Sequence, residues 1–310
     1  MSTGVVRVHS RYGQVPEDRF RAWRRAWDIL SNYAFIAPYL VAFLLFSLGP
    51  IAYGFYMSFF NVQILEPQQP FVGLAHYQRL EADTIFRTAL GNTLYFTILT
   101  VTIETAVALL AALALHSKVR GQTLFQFIFY SPVTLSAAVV GELGLNLVAS
   151  GTLNYYLAPF GFGNFSFLSN SSTAVPLLSI ISVWWGFGFA VLVLLAGLNG
   201  IPSPLYEAAQ VDGAGPVRTV FRITLPLLRP TLLFVLIVLT IAHLQVFAQM
   251  FIITQGGPGY SSLSIVMYLF QNAWQFYDMG YASAIAVVLA ILMALFSAAL
   301  FRLLGERFEF

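Results

Sequence analysis

The chain has 310 residues, 58% hydrophobic and only 9% charged, with a net charge of +2 and a mean hydropathy of +0.78. A soluble domain carries roughly 25% charged residues, so this composition excludes one and describes an integral membrane protein. Cysteine is absent, which removes disulfide frameworks, zinc-thiolate sites and cysteine nucleophiles; the single lysine, Lys118 in HSKVRG, lacks the preceding glycines of a phosphate-binding P-loop, so any nucleotide hydrolysis belongs to another polypeptide.

Residues 1–32 form a basic tail. RFRAWRRAWDIL, from Arg19 to Leu30, sets Phe20, Trp23, Trp27 and Leu30 at helical spacing with arginines between them. That pattern suits an interfacial helix on anionic lipid and equally a topogenic charge cluster. The long Arg-rich lead before the first apolar run is unlike a secretory signal.

Six apolar runs follow, at 33–60, 88–115, 124–148, 175–198, 229–253 and 281–303, each near the ~20 residues a spanning helix needs. The expected fold class is therefore an all-α polytopic membrane protein with six transmembrane helices, residues 33–310 forming the membrane domain. Basic residues set the orientation. Arg7, Arg11, Arg19, Arg21, Arg24, Arg25, Lys118, Arg120, Arg218, Arg222, Arg229, Arg302 and Arg307 fall on one side, and only Arg79 and Arg87 on the other. Both termini and the 201–230 loop are thus expected in the cytosol.

The outward loops differ in kind. Residues 61–87 are polar and carry Pro67 and Pro70, as a small cap would; 149–174 are uncharged, with Gly151, Asn154, Gly161 and Gly163, and are expected to fold back onto the membrane face. In 254–280, TQGGPGYSS sets a fixed bend.

The inward loop, IPSPLYEAAQVDGAGPVRTVFRITLPLLRP from Ile201 to Pro230, is the most informative stretch. Ser203 can cap a helix with Pro204 at its first position, Gly213 and Gly215 stop it, and a second short helix can restart at Pro216. Leu205 and Tyr206 are larger than a solvated loop needs, and Ala208 and Ala209 let another backbone approach. Such a surface asks for a partner.

Glu207-Ala208-Ala209, then Asp212-Gly213-Ala214, then Ile223-Thr224-Leu225-Pro226 resemble the EAA loop of ATP-binding-cassette importer permeases. Asn92-Thr93, Ser131-Pro132, Gly151 and Asn154, Gly256-Gly257-Pro258 and GYASAIA from Gly280 extend the likeness to the binding-protein-dependent sugar branch, the maltose/trehalose type, over roughly residues 88–305. The resemblance implies that the loop forms a coupling helix seated in a cleft of a separate ATPase dimer, which binds ATP and magnesium, so that this chain itself needs no cofactor and no metal. It further implies a second permease subunit, an extracytoplasmic sugar-binding protein at the outward loops, a disaccharide such as trehalose or maltose as cargo, and a bacterial plasma (inner) membrane location. Membrane lipid is a partner and nucleic acid is not. The ATPase-coupling residues on this reading are Leu205, Tyr206, Glu207, Ala208, Ala209, Asp212, Gly213 and Ala214. The family's sugar contacts would fall near Ser131 and Leu135, at Trp185 and Gly186, and at Leu239, His243 and Val246.

Polar groups in hydrocarbon are costly, so those present should line a cavity or pair with one another. Glu104, Glu142, Asn146, His243, Gln245 and Gln249 are the candidates, with His243 and Gln245 about midway across. Glu104 lies between Thr102 and Thr105 and suits an interhelical hydrogen bond. An indole face at Trp185 stacks on sugar C–H surfaces, and the His243 imidazole can bond a hydroxyl. Two other readings fit a polytopic chain: a secondary transporter with Glu104, Glu142 or His243 as proton carrier, and a membrane transferase, which would want clustered acids or histidines where this sequence scatters them.

Overall fold

Helices make up nearly all of the computed structural model, which describes residues 27, 33–117, 119–149, 151–161, 163 and 166–305. The tail helix expected over 19–30 lies outside these residues apart from Trp27. In chain order come α1 (Tyr33–Met57), α2 (Ala75–Ala82), α3 (Thr84–His116), a pair α4 (Gln122–Thr134) and α5 (Ala137–Ala149), α6 (Thr152–Leu157), α7 (Ser171–Asn199), α8 (Ser203–Val211), α9 (Pro216–Leu244), α10 (Ile265–Phe270) and α11 (Met279–Leu304). Five of them, α1, α3, α7, α9 and α11, are long and apolar enough to cross a membrane, and α4 with α5 supplies a sixth span bent by 94°. Among the described residues there are only two isolated β-bridges, Phe60 with Phe71 and Gln63 with Asp278.

The chain divides into two units between Gly54 and Phe55. In the first, α1 buries none of its residues, and Tyr39 stacks on Phe43 with ring centroids 6.3 Å apart. The second unit holds the remaining helices. At the end nearer the 201–230 loop, Ala108, Ala112 and Leu115 of α3 meet Ala190 and Leu194 of α7 and Leu228 of α9. The small side chains let the helices approach closely, which is how helices associate where lipid is as apolar as they are. A middle cluster joins Phe96, Val140, Leu178, Val246 and Met250, and a cluster at the far end joins Phe86, Ala89, Ile265, Met267, Tyr281 and Ile285.

Two spans depart from the continuous helices expected. The run at 124–148 is broken. Pro132 has no N–H, the chain tightens into a 3₁₀ turn over Ser131–Thr134, Leu135 turns extended at ψ 142°, and Ser136 Oγ accepts from Val139 N at 3.3 Å to start α5. The run at 229–253 is displaced instead. The short helix expected at Pro216 continues without interruption into the span, which ends at Leu244. A π turn over Val220–Thr224, in which Leu225 N–H reaches Val220 O, widens the helix just ahead of Pro226 and absorbs that proline. Past Gln245 the chain leaves the helix and resumes at Ala248, before a second π turn over Met250–Thr254.

The bend in TQGGPGYSS forms as expected, and the second span holds it. Asn92 Nδ2 donates to Tyr260 O at 2.7 Å and Leu263 O at 3.1 Å, while Thr93 Oγ1 accepts from Ile265 N at 2.9 Å and so anchors the start of α10. The rest of 254–280 is no plain loop: α10 runs on into a π turn over Gln271–Gln275.

Candidate functional site

The α8 elbow is built by its ends. Its helix begins at Ser203 itself, after Pro202 fixed at φ −62°, and Ser203 makes no side-chain cap. Proline supplies the preset dihedral that a capping hydroxyl would otherwise have stabilised. At the other end Gly213 takes φ +72°, and Ala214 N–H reaches back to Ala209 O at 2.9 Å, so the last carbonyls of the helix are satisfied as the chain reverses. Leu205, Glu207, Ala208 and Asp212 are exposed, whereas Ala209 is buried against this chain rather than offered outward. Ala214 and Tyr206 are half-buried.

Tyr206 braces the elbow. Its hydroxyl lies 3.3 Å from Thr224 Oγ1 on α9, its ring centroid lies 6.0 Å from that of His116 at the end of α3, and His116 Nδ1 lies 3.1 Å from Asn199 Oδ1 at the end of α7. The sequence reading missed three apolar neighbours. Val211 is 88% exposed, and Val217 and Phe221, like Leu205, also stand out of the fold. Their signal is visible as apolar residues among arginines, but the short helix expected at Pro216 does not by itself say which of its faces stands outward.

The second feature lies deep in the bundle. His243 Nε2 on α9 is 2.7 Å from Glu104 Oε2 on α3. The Glu104 side chain is wholly buried, while that of His243 keeps 13% exposure. The imidazole also rests edge-on against Phe96 at 5.7 Å. The other carboxylate oxygen, Glu104 Oε1, has no hydrogen-bond partner, and neither do the buried hydroxyls of Thr97, Thr100, Thr105 and Ser182. Gly186 of α7 makes room for the carboxylate, since a Cβ there would sit 2.7 Å from Oε1. One residue earlier, Trp185 Nε1 donates to Leu135 O at 3.1 Å, the carbonyl freed where the bent span opens. Two discontinuous helices therefore meet at one level of α7. Irregular backbone at such depth is tolerated where it lines a cavity or is buried in protein.

The remaining residues singled out from the sequence spread around this node. Ser131 is exposed and donates back to Ile128 O at 3.0 Å. Leu135 is half-buried. Glu142 and Asn146 are exposed on α5, with Asn146 Nδ2 donating to Glu142 O at 2.8 Å. Gln245 is exposed and its amide donates to Met293 Sδ at 3.1 Å. Gln249 is buried, and Leu239 and Val246 are core residues packed in the loop-end and middle clusters. No set of three His, Cys, Asp or Glu side chains able to hold a metal occurs among the described residues.

A polar clasp, not read from the sequence, closes the far end. Asp83 caps α3 with Oδ1, accepting from Ile85 N at 2.8 Å and Phe86 N at 3.1 Å, and its Oδ2 accepts from Tyr268 at 2.5 Å and Tyr281 at 2.6 Å. Arg79 lies 3.8 Å over the Tyr281 ring and pairs with Asp278 at 2.7 Å, while Asp278 caps α11 through Tyr281 N. Burial works to raise the Asp83 pKa, but the two tyrosyl and two backbone donors outweigh it and hold the carboxyl below its usual range. The Tyr268 phenol is pushed up to about 12, first by burial and then by the Asp83 charge it donates to.

Comparison with known proteins finds the same architecture elsewhere. A family model described as binding-protein-dependent transport system inner membrane component matches residues 104–309. The arabinooligosaccharides transport system permease protein AraP of Bacillus subtilis (strain 168) is 35% identical over 281 residues, 89% of either chain. The trehalose/maltose transport system permease protein MalF of Thermococcus litoralis is 34% identical over 86% of this chain and 90% of its own. Among solved structures, a chain of a bacterial alginate ABC transporter in complex with an alginate pentasaccharide-bound periplasmic protein matches with a TM-score of 0.78 at 26% identity, covering 92% of this chain and 99% of that one.

Proposed function

Because the chain belongs to the family of binding-protein-dependent transport system inner membrane components, we propose that it is one of two permease subunits forming the translocation pathway of an ATP-driven sugar importer, with a disaccharide such as trehalose or maltose as cargo. Its relatives are named for oligosaccharides, and the interior polar groups here are mostly uncharged, which suits a neutral sugar. Residues 1–32 are the tail, both termini and α8 lie in the cytosol, and the far-end loops meet an extracytoplasmic sugar-binding protein. The family assignment leaves no place for a proton-coupled carrier or a transferase.

The observation that carries the mechanism is continuity. The α8 elbow is tied to α9 by Tyr206 at Thr224, Ala209 closes the turn that leads into it, and α9 is one helix from Pro216 to Leu244, ending one residue after His243. A separate ATPase dimer, holding ATP and magnesium, takes the exposed face of α8 through Leu205, Glu207, Ala208 and Asp212, and its closure pushes the elbow. A packed helix moves as a rigid body, so the push arrives at the broken level where Ser131, Leu135, Glu142, Asn146, Trp185, His243 and Gln245 line the pathway, while Leu239, Val246 and Gln249 back its wall.

The absence of native cysteine makes the test clean. A single cysteine at Ala208 or Tyr206, cross-linked in membranes that are importing sugar, should capture a nucleotide-hydrolysing subunit. Repeated capture of none, with import running, refutes the assignment. Copurification of the assembly, followed by a screen for the sugar that stimulates its ATP hydrolysis, identifies the cargo.

A further inference from the structure

His243 commits one nitrogen and keeps the other. Nε2 lies 2.7 Å from Glu104 Oε2, and among the described residues the ring makes no second hydrogen bond; its remaining contact is the edge-on packing against Phe96. The imidazole retains 13% exposure, and its Nδ1, unlike Glu104 Oε1, is not one of the fully buried atoms that lack a partner, whereas the carboxylate that holds the ring is wholly buried. Glu104 is itself confined, since α7 passes so close that only a glycine at 186 leaves its Oε1 in place. A buried carboxylate beside an imidazole selects which ring nitrogen carries the proton and fixes the plane of the ring.

We propose that Glu104 is a positioning residue for cargo recognition: accepting from His243 Nε2–H, it fixes the ring and its tautomer so that Nδ1 stands as a hydrogen-bond acceptor for a hydroxyl of the passing sugar. The inference rests on the reading of His243 as pathway-lining and assigns the specificity of that contact to a residue that touches no cargo. It also gives the pair a role that packing alone does not require. Ser179 on the neighbouring α7 satisfies its hydroxyl by bonding back to Val175 O at 3.0 Å, as a purely structural polar group in a helix does. Glu104 instead reaches across to α9, the helix that carries the stroke.

The test uses the assembled transporter, with its ATPase and binding protein, carrying ¹⁵N-histidine in this chain; a His243→Asn sample assigns the resonance. In the native complex the spectrum should show a protonated Nε2 and a bare Nδ1 at His243. Glu104→Gln, which keeps the shape and whose amide can either accept or donate, should mix the two tautomers, and Glu104→Met should abolish the preference. A His243 with bare Nε2, or a tautomer unchanged in Glu104→Gln, overturns the proposal. Uptake of radiolabelled maltose and trehalose, each against its monodeoxy analogues, supplies the functional arm. The native complex should prefer the hydroxyl that Nδ1 accepts by about tenfold, the scale of one hydrogen bond to a well-held acceptor, and Glu104→Gln should erase that preference. A preference that survives Glu104→Gln refutes the positioning role. Transport of neither sugar by the native complex refutes the disaccharide reading instead, and the tautomer measurement still decides the role of Glu104.

Discussion

Replacing Asp83 with asparagine should destabilise the far-end clasp by an amount that depends on pH. The native carboxylate accepts four hydrogen bonds, two from backbone N–H groups at 2.8 and 3.1 Å and two from tyrosyl hydroxyls at 2.5 and 2.6 Å. In the Asp83→Asn variant the amide oxygen keeps the helix cap, and the NH₂ faces two tyrosines that must rotate to accept from it. A hydrogen bond to a charged group is worth about 1.5–3 kcal/mol net and a neutral one about 0.5–1.5. The exchange therefore removes roughly 1 kcal/mol per tyrosine, trimmed because the site is half-open to solvent, for a loss of about 1–2 kcal/mol at neutral pH. The sign with pH follows from the depressed folded-state value. The contribution is fully present above the unfolded aspartate pKa of about 3.9 and is lost as pH falls through the folded value. Thermal unfolding of the detergent-solubilised chain should place the variant a few degrees below the native protein at pH 7, and the gap should narrow as pH falls below about 4. Equal melting at pH 7, or a gap that persists in acid, would refute the account of Asp83 as a charged acceptor shared by α3, α10 and α11.

Four other positions probe the elbow and the broken span. Gly213→Ala should cost about 1 kcal/mol of local stability through its positive φ alone, since a Cβ there meets nothing within 4 Å; Gly213→Asp and Glu207→Lys should abolish uptake in vesicles while membrane-fraction immunoblots show normal insertion. Gly188→Ala places a methyl against the backbone carbonyl of Phe129 where α4 ends on α7, so the bent span must shift, and detergent melting should show a loss of about 2–4 kcal/mol. Trp185→Phe frees Leu135 O at the bend and should cost about 1 kcal/mol with a larger fractional loss of uptake than of complex assembly; lost assembly with intact specific uptake would make Trp185 a packing residue only.

What could be read from the chain and what could not divides along a physical line. Length and apolarity identified the apolar runs behind the spans, though one is bent and one displaced towards the loop, because hydrocarbon thickness allows few alternatives, and the Gly213 turn was legible because positive φ selects glycine. The break at Leu135 was harder: a single Pro132 inside an apolar run reads as a tolerated proline, and the decisive partner, the indole of Trp185, is fifty residues away. A short helix restarting at Pro216 was legible, but its unbroken run into the span was not, because Pro226 reads as a break and a π turn accommodates it. Glu104 and His243 were each recognisable as costly in lipid, but 139 residues separate them, and which partner each finds is decided by how α3 and α9 cross. Asn92 and Thr93 were noted only as part of a likeness; the structure supplies their task, holding the Tyr260–Ile265 turn.

The placement of the buried pair at the tip of α9 has a mechanical meaning. A continuous helix of 29 residues is about 43 Å long at ~1.5 Å per residue, so α9 reaches from the elbow well into the bundle. Contacts with α3, α7 and α11 along its length give it a pivot, and the proposed lateral push on α8 would therefore appear as tilt at His243, one residue before the helix ends. A side chain bonded across to α3 at that tip either moves with the stroke or resists it. On the proposed reading, positioning by Glu104 would tie recognition of a hydroxyl to the state of the lever, because a tilt that separates α9 from α3 would release the imidazole and, with it, the acceptor offered to the sugar. On that reading, tight binding of cargo and an engaged elbow would belong to one conformation and weak binding to the other, which is the arrangement a pump needs to let go of what it has carried.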